Sequence, residues 1–292
     1  MAAKKIILIT GSAGQLGSEL KELSPLHSSL EFVFLSRTEL SLSDDQGIEK
    51  TIEKYAPSFV INCAAYTAVD KAESEKEDAF QINATAVGVM AKVCADIGSK
   101  FIHISTDYVF DGTLRTPLKE SNNDAPVNFY GESKLAGEAA ALQANPDAVI
   151  IRTSWVYSFH GKNFVKTMIR LMSEKESISV VADQWGSPTY AADLAEIILR
   201  IVHASNWQPG IYHFSNEGVI TWFDFAKEIA ALIHSSCTVQ PTTTDNFPTP
   251  AKRPLYSVMD KCKIQQAYGI ALKPWKESLH QCIQKLLPAT SR

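Results

Sequence analysis

No stretch of this 292-residue chain approaches the ~18 uninterrupted apolar residues that a membrane-spanning helix needs. Its most apolar helical segment, 194–202, is broken by Glu196 and Arg200. Behind Met1-Ala2-Ala3-Lys4-Lys5 the apolar run is too short for a signal-peptide core. Cysteine is scarce: Cys63, Cys94, Cys237, Cys262 and Cys282 are odd in number and form no CxxC pair. That argues against a disulfide framework or a zinc site and for reduced thiols in the cytoplasm. Glycine (14) and proline (13) are too few for a collagen-like or low-complexity chain. Neither charge dominates, with 28 Lys+Arg against 32 Asp+Glu and a net charge of -4. A nucleic-acid partner is therefore not expected, whereas a local basic pocket for one anionic ligand is compatible with this balance. What is present, 45% apolar and 21% charged residues, is the composition of a globular protein with a sizeable core and no membrane partner.

Two periodicities alternate through the first half. Continuous β-branched and aliphatic runs at 5–10, 31–36, 58–63, 100–105 and 148–153 read as strands buried on both faces. Helical patterns lie between them at 15–23, 44–55, 76–97 and 129–143, with Asp44 as an N-cap and Gly98 as a C-terminal stop. This alternation predicts an α/β fold, a doubly wound parallel sheet of Rossmann type. After Thr153 the rhythm changes to helices near 163–173, 190–204, 221–233 and 276–287, with short strands at 178–182 and 210–215. Residues 1–153 are thus expected to form a dinucleotide-binding domain. Residues 154–292 are expected to form mainly a smaller, interleaved substrate lobe, some of whose segments return to the first. The run 241–254 holds four prolines in fourteen residues and reads as a linker or a ligand-covering loop.

The first strand leads directly into Thr10-Gly11-Ser12-Ala13-Gly14-Gln15-Leu16-Gly17. Gly11 permits a tight turn, Gly14 a close approach of backbone to phosphates, and Gly17 close packing of helix on strand. The helix N-terminus then offers free N–H groups to an anion. At the end of the second strand, Leu35-Ser36-Arg37-Thr38-Glu39, Arg37 stands near the place of the acidic residue that selects NAD. Its guanidinium suits a 2′-phosphate, so NADPH is expected over NADH, while Glu39 leaves use of both open. Asn62-Cys63-Ala64-Ala65-Tyr66-Thr67 closes the third strand with small residues, room for the nicotinamide half of the cofactor.

Tyr130 and Lys134, in Tyr130-Gly131-Glu132-Ser133-Lys134, share one face of a helix. Reduction of a ketone puts a hydride on carbon and a proton on oxygen. A phenol with a pKa of about 10 is the right kind of acid, and a neighbouring ammonium would tune it; three pKa units correspond to about 4 kcal/mol. Lys134 is expected to supply that field and to hold ribose hydroxyls. Thr106, at the end of the fourth strand, is expected to donate to the carbonyl oxygen as charge builds there. Each residue alone has a plainer account, a packed tyrosine or a strand-end cap. Their order along the chain, behind a glycine loop, is what points to catalysis.

That order resembles the extended, nucleotide-sugar branch of the short-chain dehydrogenase/reductase superfamily. The segments 67–73 (TAVDKAE), 105–110 (STDYVF), 152–157 (RTSWVY), 163–168 (NFVKTM), 183–189 (DQWGSPT) and 250–254 (PAKRP) resemble the dTDP-4-dehydrorhamnose reductase family over almost the whole chain. The resemblance implies NAD(P)H-dependent reduction of the C4 ketone of dTDP-4-dehydro-β-L-rhamnose to dTDP-L-rhamnose. It also implies that Tyr130 is the proton donor with Lys134 as its partner, and that Thr106 and Asp107 contact the sugar. Gly14, Gln15, Leu16, Ala65, Tyr66 and Thr67 match cofactor-contacting positions, and Trp155 an apolar wall beside the sugar. Arg253 is a candidate for the diphosphate, and Asn83 a structural residue near the site. Ser41-Leu42 departs from the acidic residue common after the second strand. Some relatives hold Mg²⁺ between subunits at positions matching Glu19 and Asp193; both lie on predicted helices here, where a solvated carboxylate is the plainer account. No metal is therefore expected, and a homodimer is compatible with the chain. The alternatives are an epimerase or dehydratase of the same superfamily, and a non-catalytic NADP-binding subunit resembling that of methionine adenosyltransferase.

Overall fold

The computed structural model describes residues 4–287. Its first half runs β1 (Lys5–Thr10), α1 (Gln15–Leu23), β2 (Leu30–Leu35), α2 (Asp45–Tyr55), β3 (Phe59–Asn62) and α3 (Val69–Ala72). There follow α4 (Lys76–Phe80), a π turn (Gln81–Thr85), α5 (Ala86–Asp96), β4 (Lys100–Thr106), α6 (Phe129–Ala144) and β5 (Val149–Thr153). The second half runs β6 (Val156–Tyr157), α7 (Phe164–Glu174), β7 (Ser177–Val181), β8 (Trp185–Gly186), β9 (Thr189–Tyr190) and α8 (Ala191–His203). It ends with β10 (Gly210–Phe214), β11 (Ile220–Thr221), α9 (Trp222–Leu232), β12 (Thr238–Thr242), α10 (Cys262–Tyr268) and α11 (Trp275–Leu286). No helix among the described residues is long and apolar enough to cross a membrane.

Six strands form one parallel sheet in the order β10-β5-β4-β3-β1-β2. Alternate residues of each run face opposite layers. Ile7, Ile9, Ile61 and Ile151 pack with α8 residues such as Leu194 and Ile198. Leu8, Val60 and Ile150 pack with Ile48, Ile52 and Met90 on the other side. Burial on both faces is why these strands read as uninterrupted apolar runs. The order changes direction at the first strand, so the chain leaves β1 for a helix on one face and β3 for helices on the other, the switch point at whose crevice such sheets bind ligands.

A separate apolar cluster gathers Tyr157, Val165, Phe225, Ile229, Trp275 and Leu279 from the second half. Two pairs of short strands beside it, β7 with β12 and β6 with β9, are parallel. Pro241 falls within β12, where a two-stranded sheet leaves one edge needing no N–H donor. The predicted caps are formed: Asp44 Oδ1 accepts from Gly47 N at 2.9 Å, and Gly98 ends its helix with φ +71. One expectation differs. The helix expected over 76–97 is interrupted by the π turn, which carries Asn83 wholly buried. Such bulges insert one residue and re-aim the side chains around it.

Candidate active site

Gly11, with φ +65, turns the chain at the tip of β1. A Cβ there would lie 2.7 Å from Ala64 N, so only glycine lets the loops after β1 and β3 touch. Gly14 is the N-cap of α1, and no side chain caps that helix end. The N–H groups of Gln15, Leu16 and Gly17 therefore begin a helix whose positive end faces the crevice, the donor set that a pyrophosphate requires. Only the backbone of Gln15 and Leu16 is available for this. The Gln15 amide accepts from Asn163 Nδ2 at 2.9 Å and contacts Val156 O, tying α1 to the second half of the chain. The Leu16 side chain is in the core.

The β2 tip lies against this loop, because Ser12 N donates to Leu35 O at 3.1 Å. Arg37 is exposed just beyond it. The Glu39 carboxylate turns back to accept from Ser36 N at 2.7 Å, a bond that lowers its pKa. Glu39 is thus engaged locally, and the cation is left facing solvent beside the glycine loop.

Asn83 fixes the loop after β3. Its Oδ1 accepts from Tyr66 N at 2.9 Å, and its Nδ2 donates to Tyr66 O and to Ser133 Oγ at 3.0 Å. One buried amide therefore locks Ala65-Tyr66-Thr67 to the helix bearing Tyr130 and Lys134. The Tyr66 phenol donates to Glu75, and burial together with that carboxylate pushes its pKa up to about 12.

The start of α6 is held from three sides. Asn128 Oδ1 accepts from Gly131 N at 2.8 Å, and Glu73 Oε1 accepts from Phe129 N at 2.8 Å. Asn128 Nδ2 donates to Lys252 O at 2.7 Å, which brings in the proline-bounded loop. Gly131 has no side chain because the backbone carbonyl of Tyr108 occupies the place of its Cβ. That contact carries the loop after β4 onto α6. The Thr106 hydroxyl faces the Tyr130 phenol, and the Tyr108 ring meets that of Tyr130 edge-on at 5.6 Å.

Burial pushes the Tyr130 phenol up to about 12; the Thr106 hydroxyl opposes this and Asp107 adds to it. Lys134, expected from the sequence to tune this phenol, makes its hydrogen bonds to β4. Its Nζ donates to Ile104 O at 2.7 Å and meets His103 Nε2 at 3.1 Å. Desolvation lowers its pKa to about 8, with Glu138 opposing.

Asp107 is 2% exposed. Its Oδ1 accepts from Thr106 Oγ1 at 3.1 Å, while Oδ2 has no hydrogen-bond partner. Burial raises this carboxyl to about 6. Trp155, just past β5, adopts a left-handed backbone (φ +49) that is costly for a bulky residue. Its ring stacks on Trp222 at 3.6 Å and lies against Gly186, where a Cβ would come within 2.6 Å of the indole. Arg253 is not a free anion ligand. It forms a two-pronged pair with Asp70, at 3.1 and 2.9 Å, and donates to Ala251 O. That pair ties the 250–254 loop to α3, so the segment is packed on the domain and is not a free linker.

Glu19 and Asp193 do not meet around one metal-sized point. Glu19 accepts from Ser158 Oγ at 2.6 Å and clusters with Glu22 and His160, with Lys285 3.0 Å from Glu22. Asp193 is engaged by Asn216, Ser278 and Lys273.

A parallel six-stranded sheet, a glycine loop at its crevice, and a Thr-Tyr-Lys set at the tip of β4 and the start of α6 define an extended short-chain dehydrogenase/reductase. The family model described as RmlD substrate binding domain matches residues 4–287, and the chain belongs to that family. It is similar to the dTDP-4-dehydrorhamnose reductase of Mycolicibacterium smegmatis, 40% identical over 98% of this chain and 87% of the relative. The dTDP-4-dehydrorhamnose reductase of Escherichia coli is 39% identical over 98% and 99%. Among solved structures, that of dTDP-4-dehydrorhamnose reductase from Bacillus anthracis in complex with NADP aligns with a TM-score of 0.92. It is 40% identical and covers 97% of this chain and all of that one.

Proposed function

We infer that this protein is a dTDP-4-dehydrorhamnose reductase, which uses NADPH to reduce the C4 ketone of dTDP-4-dehydro-β-L-rhamnose to dTDP-L-rhamnose. The observation that carries this reading is the meeting of Thr106, Asp107 and Tyr130 beside the glycine-loop crevice, in a chain that matches reductases of this name end to end. The uncapped first turn of α1 would hold the pyrophosphate, and Arg37 the 2′-phosphate. When bound there, the reduced nicotinamide supplies the hydride that goes to C4.

The chain's own residues handle the oxygen. Tyr130, with its phenol pushed up to about 12, is protonated at neutral pH. The alkoxide formed at C4 is a stronger base, with a pKa near that of water at about 15.7, so transfer from the phenol is favourable by ~5 kcal/mol. In the reducing direction the phenol therefore needs no lowering to act as the acid. Thr106 Oγ1 stands beside that phenol and, on turning its O–H away from Asp107, would donate to the same oxygen. Asp107 Oδ2, buried and unpaired, suits a sugar hydroxyl, whose O–H would supply the partner it lacks. Trp155 supplies an apolar face, held by Trp222. Arg253 can reach a diphosphate with the N–H groups that Asp70 leaves free.

The test is loss of NADPH absorbance with dTDP-4-dehydro-β-L-rhamnose, with the product identified. Stoichiometric oxidation to dTDP-L-rhamnose is expected. Turnover of a nucleotide sugar without net loss of NADPH would instead identify an epimerase or dehydratase.

A further inference from the structure

Thr10 and Asn62, at the tips of β1 and β3, and His103, midway along β4, are cross-strand partners. All three side chains are buried, and they form a continuous polar row through an otherwise apolar layer. Thr10 Oγ1 donates to Asn62 Oδ1 at 2.6 Å, Asn62 Nδ2 meets His103 Nδ1 at 3.0 Å, and His103 Nε2 meets Lys134 Nζ at 3.1 Å.

The direction of this row is fixed at one end. Ala64 N lies 3.1 Å from the Asn62 side chain and can only donate, so the atom facing it is the amide oxygen. The amide NH₂ then faces His103 Nδ1, which must accept and carries no proton. A neutral ring places its proton on Nε2, and that N–H points at Lys134 Nζ. An ammonium has three donors and no lone pair, so it cannot accept this bond, whereas an amine can and still donates to Ile104 O. We propose that Asn62 and His103 are positioning residues that set the charge of Lys134, their hydrogen-bond polarity favouring the amine over the ammonium.

The direction agrees with burial, which depresses both Lys134 and His103. The other ionisable groups around the lysine do not reverse it. Glu138, one turn on, is bound by the buried Arg152 from β5, which also pairs with Asp124. Tyr130, one turn back, is a neutral phenol, and Asp107 is hydrogen-bonded to Thr106. A lysine locked as ammonium could not take up a proton, and one locked as amine could not supply one. By favouring the amine, the row brings the two forms of Lys134 closer in energy than they are for a free lysine, so that it can do either as the proton donated by Tyr130 is replaced. This consequence rests on the reductase reading; the charge assignment does not.

The first measurement uses the unaltered protein with ¹⁵N-labelled histidine, the His103 signal being assigned by its loss in His103→Gln. A ring with Nε2 protonated and Nδ1 bare is expected at pH 7. A ring protonated on Nδ1 overturns the proposal, as does a cationic one. The second uses Asn62→Asp, which keeps the shape but offers His103 Nδ1 an acceptor. There the tautomer should reverse, and the lysine-dependent limb of the kcat/KM profile should move up by about 1–3 pH units. An unshifted limb with a reversed tautomer removes the role assigned to the row. Should Asn62→Asp not fold, the labelled parent protein still decides. Because that readout needs no substrate, an expected tautomer in a protein that reduces no keto-sugar would sink the reductase reading alone.

Discussion

Replacing Asp107 with asparagine should make the protein more stable and the enzyme worse. The carboxyl is 2% exposed, and burial raises its pKa from 3.8 to about 6 against the opposing hydroxyls of Ser257 and Thr106. Because the folded value lies above the unfolded one, the folded state keeps a proton that the unfolded chain has already released. Stability therefore falls as pH rises from ~4 to ~6, and above that the charged group costs the fold ~3 kcal/mol. Asparagine removes the charge but leaves an unpaired amide where Oδ2 has no partner, a loss of ~1–2 kcal/mol. A net gain of ~1–2 kcal/mol at pH 8 is expected, turning into a net loss of ~1 kcal/mol at pH 4, where the parent carboxyl holds its proton. Urea unfolding at both pH values measures it. A variant no more stable than the parent at pH 8, or equally stabilised at pH 4, refutes burial of the charge as the cause. The same change should lower kcat/KM by ~10–100-fold, the worth of a hydrogen bond from a sugar hydroxyl to a carboxylate. Stability traded for function in this way is common where a site carries an uncompensated buried charge.

Tyr130→Phe should reduce turnover by ~10²–10⁴-fold with NADPH affinity nearly unchanged, as measured by single-turnover kinetics and cofactor titration. Unaltered turnover would take the phenol out of the mechanism. Arg37→Ala should weaken NADPH by ~10–100-fold and NADH little, in line with one lost charged contact; equal weakening of both cofactors defeats the 2′-phosphate assignment. Glu138→Ala should destabilise the fold by ~3–5 kcal/mol, because Arg152 is 0% exposed and would keep only Asp124 as a counter-charge. Denaturant midpoints measure that loss, and a shift worth under ~1 kcal/mol would show that water or a rearranged partner replaces the carboxylate.

Much of the sheet is legible in the sequence for one physical reason. Strands covered by helices on both faces must be apolar throughout, so 5–10, 58–63 and 148–153 stand out without any alternation. The glycine loop is legible because close approach of backbone demands residues without Cβ, and the pairing of Tyr130 with Lys134 because helical spacing is fixed. Function also hid some elements. The π turn at 81–85 lies inside a pattern that reads as one helix, and only the buried bonds of Asn83 to Tyr66 and Ser133 reveal why an extra residue is there. The side-chain partners of Arg253 and Lys134 are not legible because they are distant in sequence. Asp70 stands 183 residues from Arg253, and His103 lies 31 residues before Lys134.

The register between strands is likewise something that a one-dimensional pattern does not carry. Thr10 and Asn62 end their apolar runs and His103 interrupts one midway, and taken singly each is an ordinary polar residue of a strand. The parallel register sets the ends of β1 and β3 beside the middle of β4, so three isolated exceptions become one hydrogen-bonded row. The same holds one layer along, where Ser105 and Arg152 are register partners and both bind Glu138 from α6. Polar residues in register on neighbouring parallel strands are therefore better read as a set than one by one. Two such rows converge on α6 between Lys134 and Glu138, so the helix that presents Tyr130 is anchored by buried polar contacts as well as by apolar packing. Directional bonds fix a helix in register and rotation more tightly than a slippery apolar face can. That is the precision a proton donor needs when its substrate must sit within hydrogen-bond reach.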